Sequence, residues 1–300
     1  MIVSWFPGNG DPEIVFTAPT YTGSNPDLLG QIPVEHITTV GADQDGETIL
    51  DSLLKPRDNL VLNYTVNAVT AADLAIAIRA ISRAFSHHAG AGILKVVTDD
   101  AESFYIDCIV APRNPVFPTG SESRSSTGAG LSNYWQKFSI TLVAYRPWWY
   151  TTPTPETFNP WVGVELPLEI DPVWGIEFSS YADSKTLTNN GDLRIPITIQ
   201  IDGPMVNPLF TKTLTGEYIS ITKELTAGQR LYIDTAYGDI TCEIRDSSTD
   251  ELIEDAFQYA DVDTTWFWLD PGENYVTFTS GDANDGSSMI ISKSDRYSAV

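Results

Sequence analysis

The stretch IPITIQIDGPMVNP, residues 195–208, places Ile195, Ile197, Ile199 and Ile201 at every second position before it breaks into Gly, Pro and Asn. A period of two puts the four side chains on one face of a strand, and the break marks a turn. The same grammar repeats downstream in GEYISI, AGQRLYID and ITCEI, each run bounded by turn residues. From about Val162 onward no helical stripe appears. Short alternating runs at this spacing predict an antiparallel β-sandwich. Near its end, LDPGENYVTF (Leu269 to Phe278) carries Asp270-Pro271-Gly272-Glu273. Pro presets φ for the second position of a type II turn, and Gly accepts the positive φ of the third. The reading is a tight turn that makes a hairpin of the aromatic run TTWFWL and the strand after it.

Upstream the pattern changes. Thr70-Ala71-Ala72-Asp73 offers an N-cap with an acid three residues on, and Leu74, Ile78, Ile81 and Phe85 follow along one stripe. This predicts one helix, closing near His87-His88-Ala89-Gly90. Around it the chain reads as β: Leu60, Leu62, Tyr64 and Val66 alternate before the helix, and Leu94 and Val96 face Phe104, Ile106 and Cys108 across TDDAES after it. Residues 112–133, rich in Pro, Ser and Gly, read as an exposed, mobile loop. A strand from Tyr134 to Tyr145 then runs into the aromatic corner RPWWY. TTPTPETFNPW, Thr151 to Trp161, has three prolines and no periodicity, as a semi-rigid linker does. The expected division is an α+β N-terminal domain over 1–150, a linker over 151–161 and a β-sandwich over 162–300, a mainly β chain with one helix.

With 300 residues and 42% hydrophobic content the chain can build substantial cores. Its net charge of −23 excludes a surface designed to hold nucleic acid, which needs clustered Lys and Arg. Cys108 and Cys242 lie far apart in alternating runs and read as two buried free thiols. The start, MIVSWFPGNGDPE, has no basic n-region or apolar h-region, and no apolar run approaches the roughly 20 residues of a membrane span. The expectation is a soluble protein made in the cytoplasm and not inserted in a membrane.

No catalytic or cofactor constellation emerges. His36, His87 and His88 are the only histidines, and adjacent side chains on a helix diverge by about 100°. Glu165, Glu169 and Asp171 would share a strand face as paired glycosidase carboxylates do, but a solvated edge of an acidic protein explains them more simply. GDANDGSS lacks the acidic spacing and closing Glu of a calcium loop. There is no GxxxxGK[ST], no GxSxG, and no dinucleotide spacing in GAGILK. The eight tryptophans are scattered and often sit beside turns, which suits core and interface packing. Trp148, Trp149, Trp266 and Trp268 are the candidate protein-contact aromatics.

The order of the pieces resembles the distal tail protein (Dit) of long-tailed phages, the siphovirus-type tail component family. The resemblance rests on Leu53-Leu54-Lys55-Pro56-Arg57 before a strand, the single helix, and Gly92-Ile93-Leu94 entering a hairpin. It continues through Arg146-Pro147-Trp148-Trp149-Tyr150, Asn189-Asn190-Gly191-Asp192 before Pro196, Ile201-Asp202-Gly203 with Asn207-Pro208, Gly228 with Ile233-Asp234-Thr235, and Leu269-Asp270-Pro271-Gly272-Glu273-Asn274. Arg146 stands where the family usually has Asp. The resemblance implies a non-enzymatic virion protein at the tail tip: an N-terminal ring-forming domain, a galectin-like C-terminal sandwich, and a homohexameric ring. Its implied partners are the tail tube protein, the tail-tip hub or tail-associated lysin protein, and a receptor-binding protein, with no cofactor. Two rival classes stay open, a carbohydrate-binding module contacting host cell-wall glycans and a β-sandwich glycosidase. Galectins use a polar cluster with a histidine and a stacking tryptophan. The C-terminal half has Trp174, Trp266 and Trp268 but no histidine and few Arg and Lys, so the sandwich is expected to be inert toward glycans and to use its exposed aromatics and loops for protein contacts, with tryptophan stacking alone at a different face as the alternative.

Overall fold

The computed structural model describes residues 1–23, 30–39, 48–111, 134–159, 181–283 and 287–300. The loop expected over 112–133 lies outside them. The chain divides into two compact units, Met1–Thr152 with Tyr297–Val300, and Pro153–Arg296.

The first unit contains β1 (Ile2–Phe6), β2 (Ile14–Phe16), β3 (Tyr21–Gly23), β4 (Val34–Thr39), β5 (Thr48–Leu54), β6 (Arg57–Ala68), α1 (Ala71–Ala84), β7 (Gly92–Val97), β8 (Ser103–Val110), β9 (Tyr134–Ala144) and β10 (Trp149–Tyr150). Its main sheet runs β2-β1-β7-β8-β9-β6-β3, while β4 and β5 form a separate two-stranded ribbon. The expected periodicities match. Leu60, Leu62, Tyr64 and Val66 are buried, as are Leu94, Val96, Phe104, Ile106 and Cys108, and β7 and β8 pair with Leu94 opposite Ile106 and Val96 opposite Phe104. Thr70 caps α1 by accepting the Asp73 N–H at 3.1 Å, which satisfies one of the donors a helix start leaves open. Leu74, Ile81 and Phe85 turn inward, and Phe85 stacks on Trp5 at 5.0 Å, whose indole N–H donates to the Ala84 carbonyl at 3.0 Å. Gly92 sits where that indole approaches: a Cβ there would fall 2.4 Å from Trp5 Cζ2 and 2.6 Å from the Phe6 carbonyl oxygen.

Arg57 opens β6 and is 3% exposed. Its guanidinium donates from Nε to the Pro147 carbonyl at 2.7 Å, from Nη1 to Gly30 at 2.6 Å and from Nη2 to Ser298 at 2.5 Å. A planar fork can serve three carbonyls in different directions; an ammonium presents one point. Burial pulls its pKa below the usual guanidinium value.

The second unit contains β11 (Thr154–Phe158), β12 (Tyr181–Asn189), β13 (Ile197–Asp202), β14 (Met205–Val206), β15 (Leu209–Lys212), β16 (Glu217–Ser220), β17 (Glu224–Leu225), β18 (Gln229–Asp234), β19 (Thr241–Asp246), β20 (Leu252–Asp255), β21 (Gly272–Ser280), β22 (Asp282–Ala283) and β23 (Ser288–Lys293). A six-stranded sheet, β11-β23-β13-β18-β19-β20, and a four-stranded sheet, β12-β21-β15-β16, are joined by a small β17-β14-β22 sheet, and their strands pair antiparallel. One core takes Ile197, Ile199, Ile201, Leu231, Ile233 and Ile291 from the first sheet and Leu187, Phe210, Ile219, Val276 and Phe278 from the second. Two sheets closing on one core is the sandwich that the alternating isoleucines announce.

Three expectations change. TTWFWL is not a strand paired with its successor: only Leu269 forms a bridge, to Ile195. The N–H groups of Thr265 and Phe267 donate to Tyr218 and Thr265 carbonyls instead. The turn itself is present, with Gly272 at φ +90. It is closed by the buried Asn274 side chain, which accepts from the Asp270 N–H at 3.0 Å and donates to the Asp270 and Gly272 carbonyls at 2.8 and 3.1 Å. It delivers the chain into β21, a strand lying between β12 and β15. The expected linker 151–161 is structured from Thr154 to Phe158 as β11, paired to β23, with Phe158 fully buried. A proline-rich segment suits such an edge, where missing N–H donors cost nothing. Finally, Tyr297–Val300 belong to the first unit, not the second.

Replacing Arg57 by Leu orphans three carbonyls and should lower stability by about 3 kcal/mol or more, and Arg57→Lys should rescue only part of it, both read by urea unfolding of the whole chain. A fragment spanning 153–296 should unfold cooperatively, whereas one beginning at Val162 loses β11 and should be weaker by at least the ~3 kcal/mol of a deleted core Phe; equal midpoints would show β11 to be dispensable.

Candidate functional site

The residues that sequence reading weighs for chemistry do not converge. His36 Nδ1 lies 2.8 Å from Ser52 Oγ on the exposed β4–β5 ribbon, and His87 and His88 occupy a short 3-10 turn, His87–Ala89. Among the described residues no group of three or more His, Cys, Asp or Glu could hold a metal. Glu165, Glu169 and Asp171 lie outside the described residues, as do Trp161, Trp174 and the centre of GDANDGSS. Cys108 and Cys242 are buried and free. Burial, with the Asp255 and Glu243 carboxylates, pushes the Cys242 thiol up to about 12, and burial pushes Cys108 up as well, so neither is poised as a nucleophile.

The four candidate aromatics separate. Trp149 is fully buried in the first core, which removes it from any contact surface: on the short β10 its face turns inward while Tyr150 turns out to hydrogen-bond Asp107 at 2.8 Å. Trp148 is half-buried. Trp266 is half-buried against the second core and meets Phe257 edge-on at 5.5 Å. Trp268 is half-buried and locked by its indole N–H, which donates to the Thr235 carbonyl at 2.7 Å.

Trp266 and Trp268 line one open cavity of about 270 Å³, together with Arg194, Lys212, Glu217, Thr235, Tyr237 and Ile240. It is built from the end of β15, the start of β16, the loop after β18 and the irregular TTWFWL segment. Lys212 is 5% exposed, and a buried ammonium must be paired. It donates to Asp270 Oδ2 at 2.5 Å and to the Trp268 carbonyl at 3.1 Å, with Glu217 at 3.7 Å. Arg194 Nε reaches the other Asp270 oxygen at 2.6 Å. These partners, the Lys212 hydrogen bond first, hold the Asp270 carboxyl below its usual range against the opposing effect of burial. Tyr237 stands 88% exposed, edge-on to Trp268 at 6.2 Å. Sequence reading singles out Trp266 and Trp268 but misses Tyr237, Arg194 and Lys212, whose convergence depends on three separate turns and has no local signature. In the first unit a cavity of about 300 Å³ is lined by Ala91, Gly92, Ile93, Asp107, Cys108, Ile109, Tyr145 and Arg146. It places Arg146 on an apolar surface with no catalytic partner set.

Neither cavity assembles a nucleophile, base and oxyanion donors. No curated protein matches the chain. The solved structure of the SPP1 Dit protein, described as a paradigm of the hub adsorption apparatus in phages infecting Gram-positive bacteria, is similar at 12% identity with a TM-score of 0.60, covering 98% of both chains. A chain of the phage P2 baseplate in its activated conformation with calcium is similar at 10% identity with a TM-score of 0.51, covering 100% of both. Residues 190–290 match the family described as siphovirus-type tail component, C-terminal domain. Within the second unit, residues 190–290 are thus similar to the siphovirus-type tail component C-terminal domain, and the chain has a fold like that of the SPP1 Dit protein.

Proposed function

We propose that the protein is a structural hub of the virion, at the distal end of a long non-contractile phage tail. There it forms a homohexameric ring that joins the tail tube to the tail-tip hub or tail-associated lysin protein and to receptor-binding proteins. The first unit closes the ring and the second, a galectin-like sandwich, faces the baseplate partners. The role is architectural, not catalytic. What supports a hub is likeness to the SPP1 Dit protein over 98% of each chain, joined to the domain match over 190–290.

The observation that carries the assembly is the β4–β5 ribbon. An isolated two-stranded hairpin is marginal in water. This one is exposed on both faces, with Val34, Ile37, Ile49, Leu53 and Leu54 each between 42% and 58% accessible. Apolar side chains on such a ribbon need a neighbour, and cyclic closure with a second copy provides one. Trp148, and Trp266 with its edge-on partner Phe257, serve as further protein-contact aromatics, each offering large area with one polar handle.

Light scattering of the purified protein should report six copies of the 33.0-kDa chain. The double substitution Ile37→Asp and Leu53→Asp should leave monomers with an unchanged far-UV spectrum, because neither side chain enters a core. A wild-type protein that stays monomeric at high concentration, also with tail tube protein present, would remove the ring. Six copies at −23 each would present the genome with a repelling wall, a low-friction channel instead of a binding surface. Fluorescence anisotropy with duplex DNA at physiological salt should therefore stay flat across the titration; saturable binding would sink the channel reading.

A further inference from the structure

We propose that the cavity between β15, β16, the loop after β18 and the Trp266–Trp268 segment is a binding site for a single neutral pyranose ring of a glycan. This goes beyond the hub role and does not depend on ring assembly.

The cavity offers what a pyranose needs. A sugar ring presents an apolar C–H face and an equatorial belt of hydroxyls, so it is recognised by an aromatic face flanked by planar charged groups. Tyr237 supplies the ring: it is 88% exposed and lies at right angles to Trp268, 6.2 Å between centroids. Trp268 cannot swing away, because its indole N–H is committed to the Thr235 carbonyl. Thr235 is itself fully buried, with its hydroxyl bonded to the Ile197 N–H at 2.9 Å. The Trp268 side of the cavity is therefore set before a ligand arrives, and such preorganisation is what a weak, small-area site requires.

The polar groups are arranged for hydroxyls. Arg194 spends only Nε on Asp270, and neither of its terminal nitrogens has a partner among the described residues. Glu217 uses Oε2 for the Thr215 hydroxyl at 2.7 Å and for Lys212, which leaves Oε1 to accept. One fork of donors and one free acceptor on a common rim can address neighbouring hydroxyls, each of which both donates and accepts.

Charge and size narrow the ligand. Arg194 and Lys212 stand against Glu217 and Asp270, so the cavity is balanced and favours a neutral guest over an anion or a cation. A volume of about 270 Å³ lies at the small end of ligand pockets, which begin near ~300 Å³, and is far below what a folded partner buries. The arrangement differs from the galectin one, since no histidine takes part.

Saturation-transfer NMR on the whole protein, with the methyl pyranosides of glucose, galactose, N-acetylglucosamine and N-acetylgalactosamine as probes, tests the site. The expected result is saturable binding of at least one probe, with millimolar affinity. That affinity should weaken about tenfold or more, roughly 1.4 kcal/mol, in Tyr237→Ala or Arg194→Gln. Both side chains are exposed, so the melting temperature should not move, and Trp148→Ala in the first unit should bind as wild type. Absence of transfer to every probe, unchanged affinity in both variants, or binding confined to a methyl glucuronide added as an anionic control would each overturn the proposal.

Discussion

The buried guanidinium of Arg57 is the constraint on which the chain's layout depends. It gathers carbonyls from Gly30, Pro147 and Ser298, three segments separated from it by up to 241 positions. A cation excluded from water with no carboxylate beside it is tolerable only if every donor finds an acceptor. The C-terminal residues are therefore drawn back into the first unit, and Pro153–Arg296 becomes an insertion between two parts of one core rather than an appended domain.

A second buried cation does the same work within the second unit. Lys212 ends β15 with its ammonium inside and draws in Asp270 and the Trp268 carbonyl. This fixes the position of a segment that no ladder holds. The Asn274 side chain then completes the turn in place of the cross-strand hydrogen bonds of a hairpin. Irregular backbone next to a core is stable only where its polar groups are satisfied, and here side chains satisfy them.

Legibility in the sequence follows from this. Wherever structure is set by a period, it can be read: the stripe Leu74, Ile78, Ile81, Phe85 makes a helix, and the alternations at 60–66, 94–108 and 195–201 make strands with those residues inward. Where long-range pairing decides, local signals mislead. TTWFWL has strong β-propensity, but its N–H and C=O groups are claimed by Tyr218, Ile195 and Lys212, so propensity loses to tertiary context. Three prolines across 151–161 make the stretch that holds β11 look like a linker, because an edge strand and a semi-rigid spacer share a composition. Trp149 and Trp148 are adjacent and alike in sequence, yet the first, opening β10, enters the core while the second, just before the strand, is half-buried.

The same physics separates assembly from recognition. Each unit buries its own apolar cluster, and the features that set the two apart lie on the described surface. In the first unit one such feature is the apolar β4–β5 ribbon, the surface on which the proposed ring contact rests. In the second it is a small cavity with balanced charge and an exposed tyrosine, the geometry of a small polar guest. A segment freed from the ladder contributes to the second: Trp268 donates its indole N–H to the Thr235 carbonyl while its own carbonyl accepts from Lys212. The departure from regular β-structure at residues 264–269 is thus the feature that gives the sandwich a site at all.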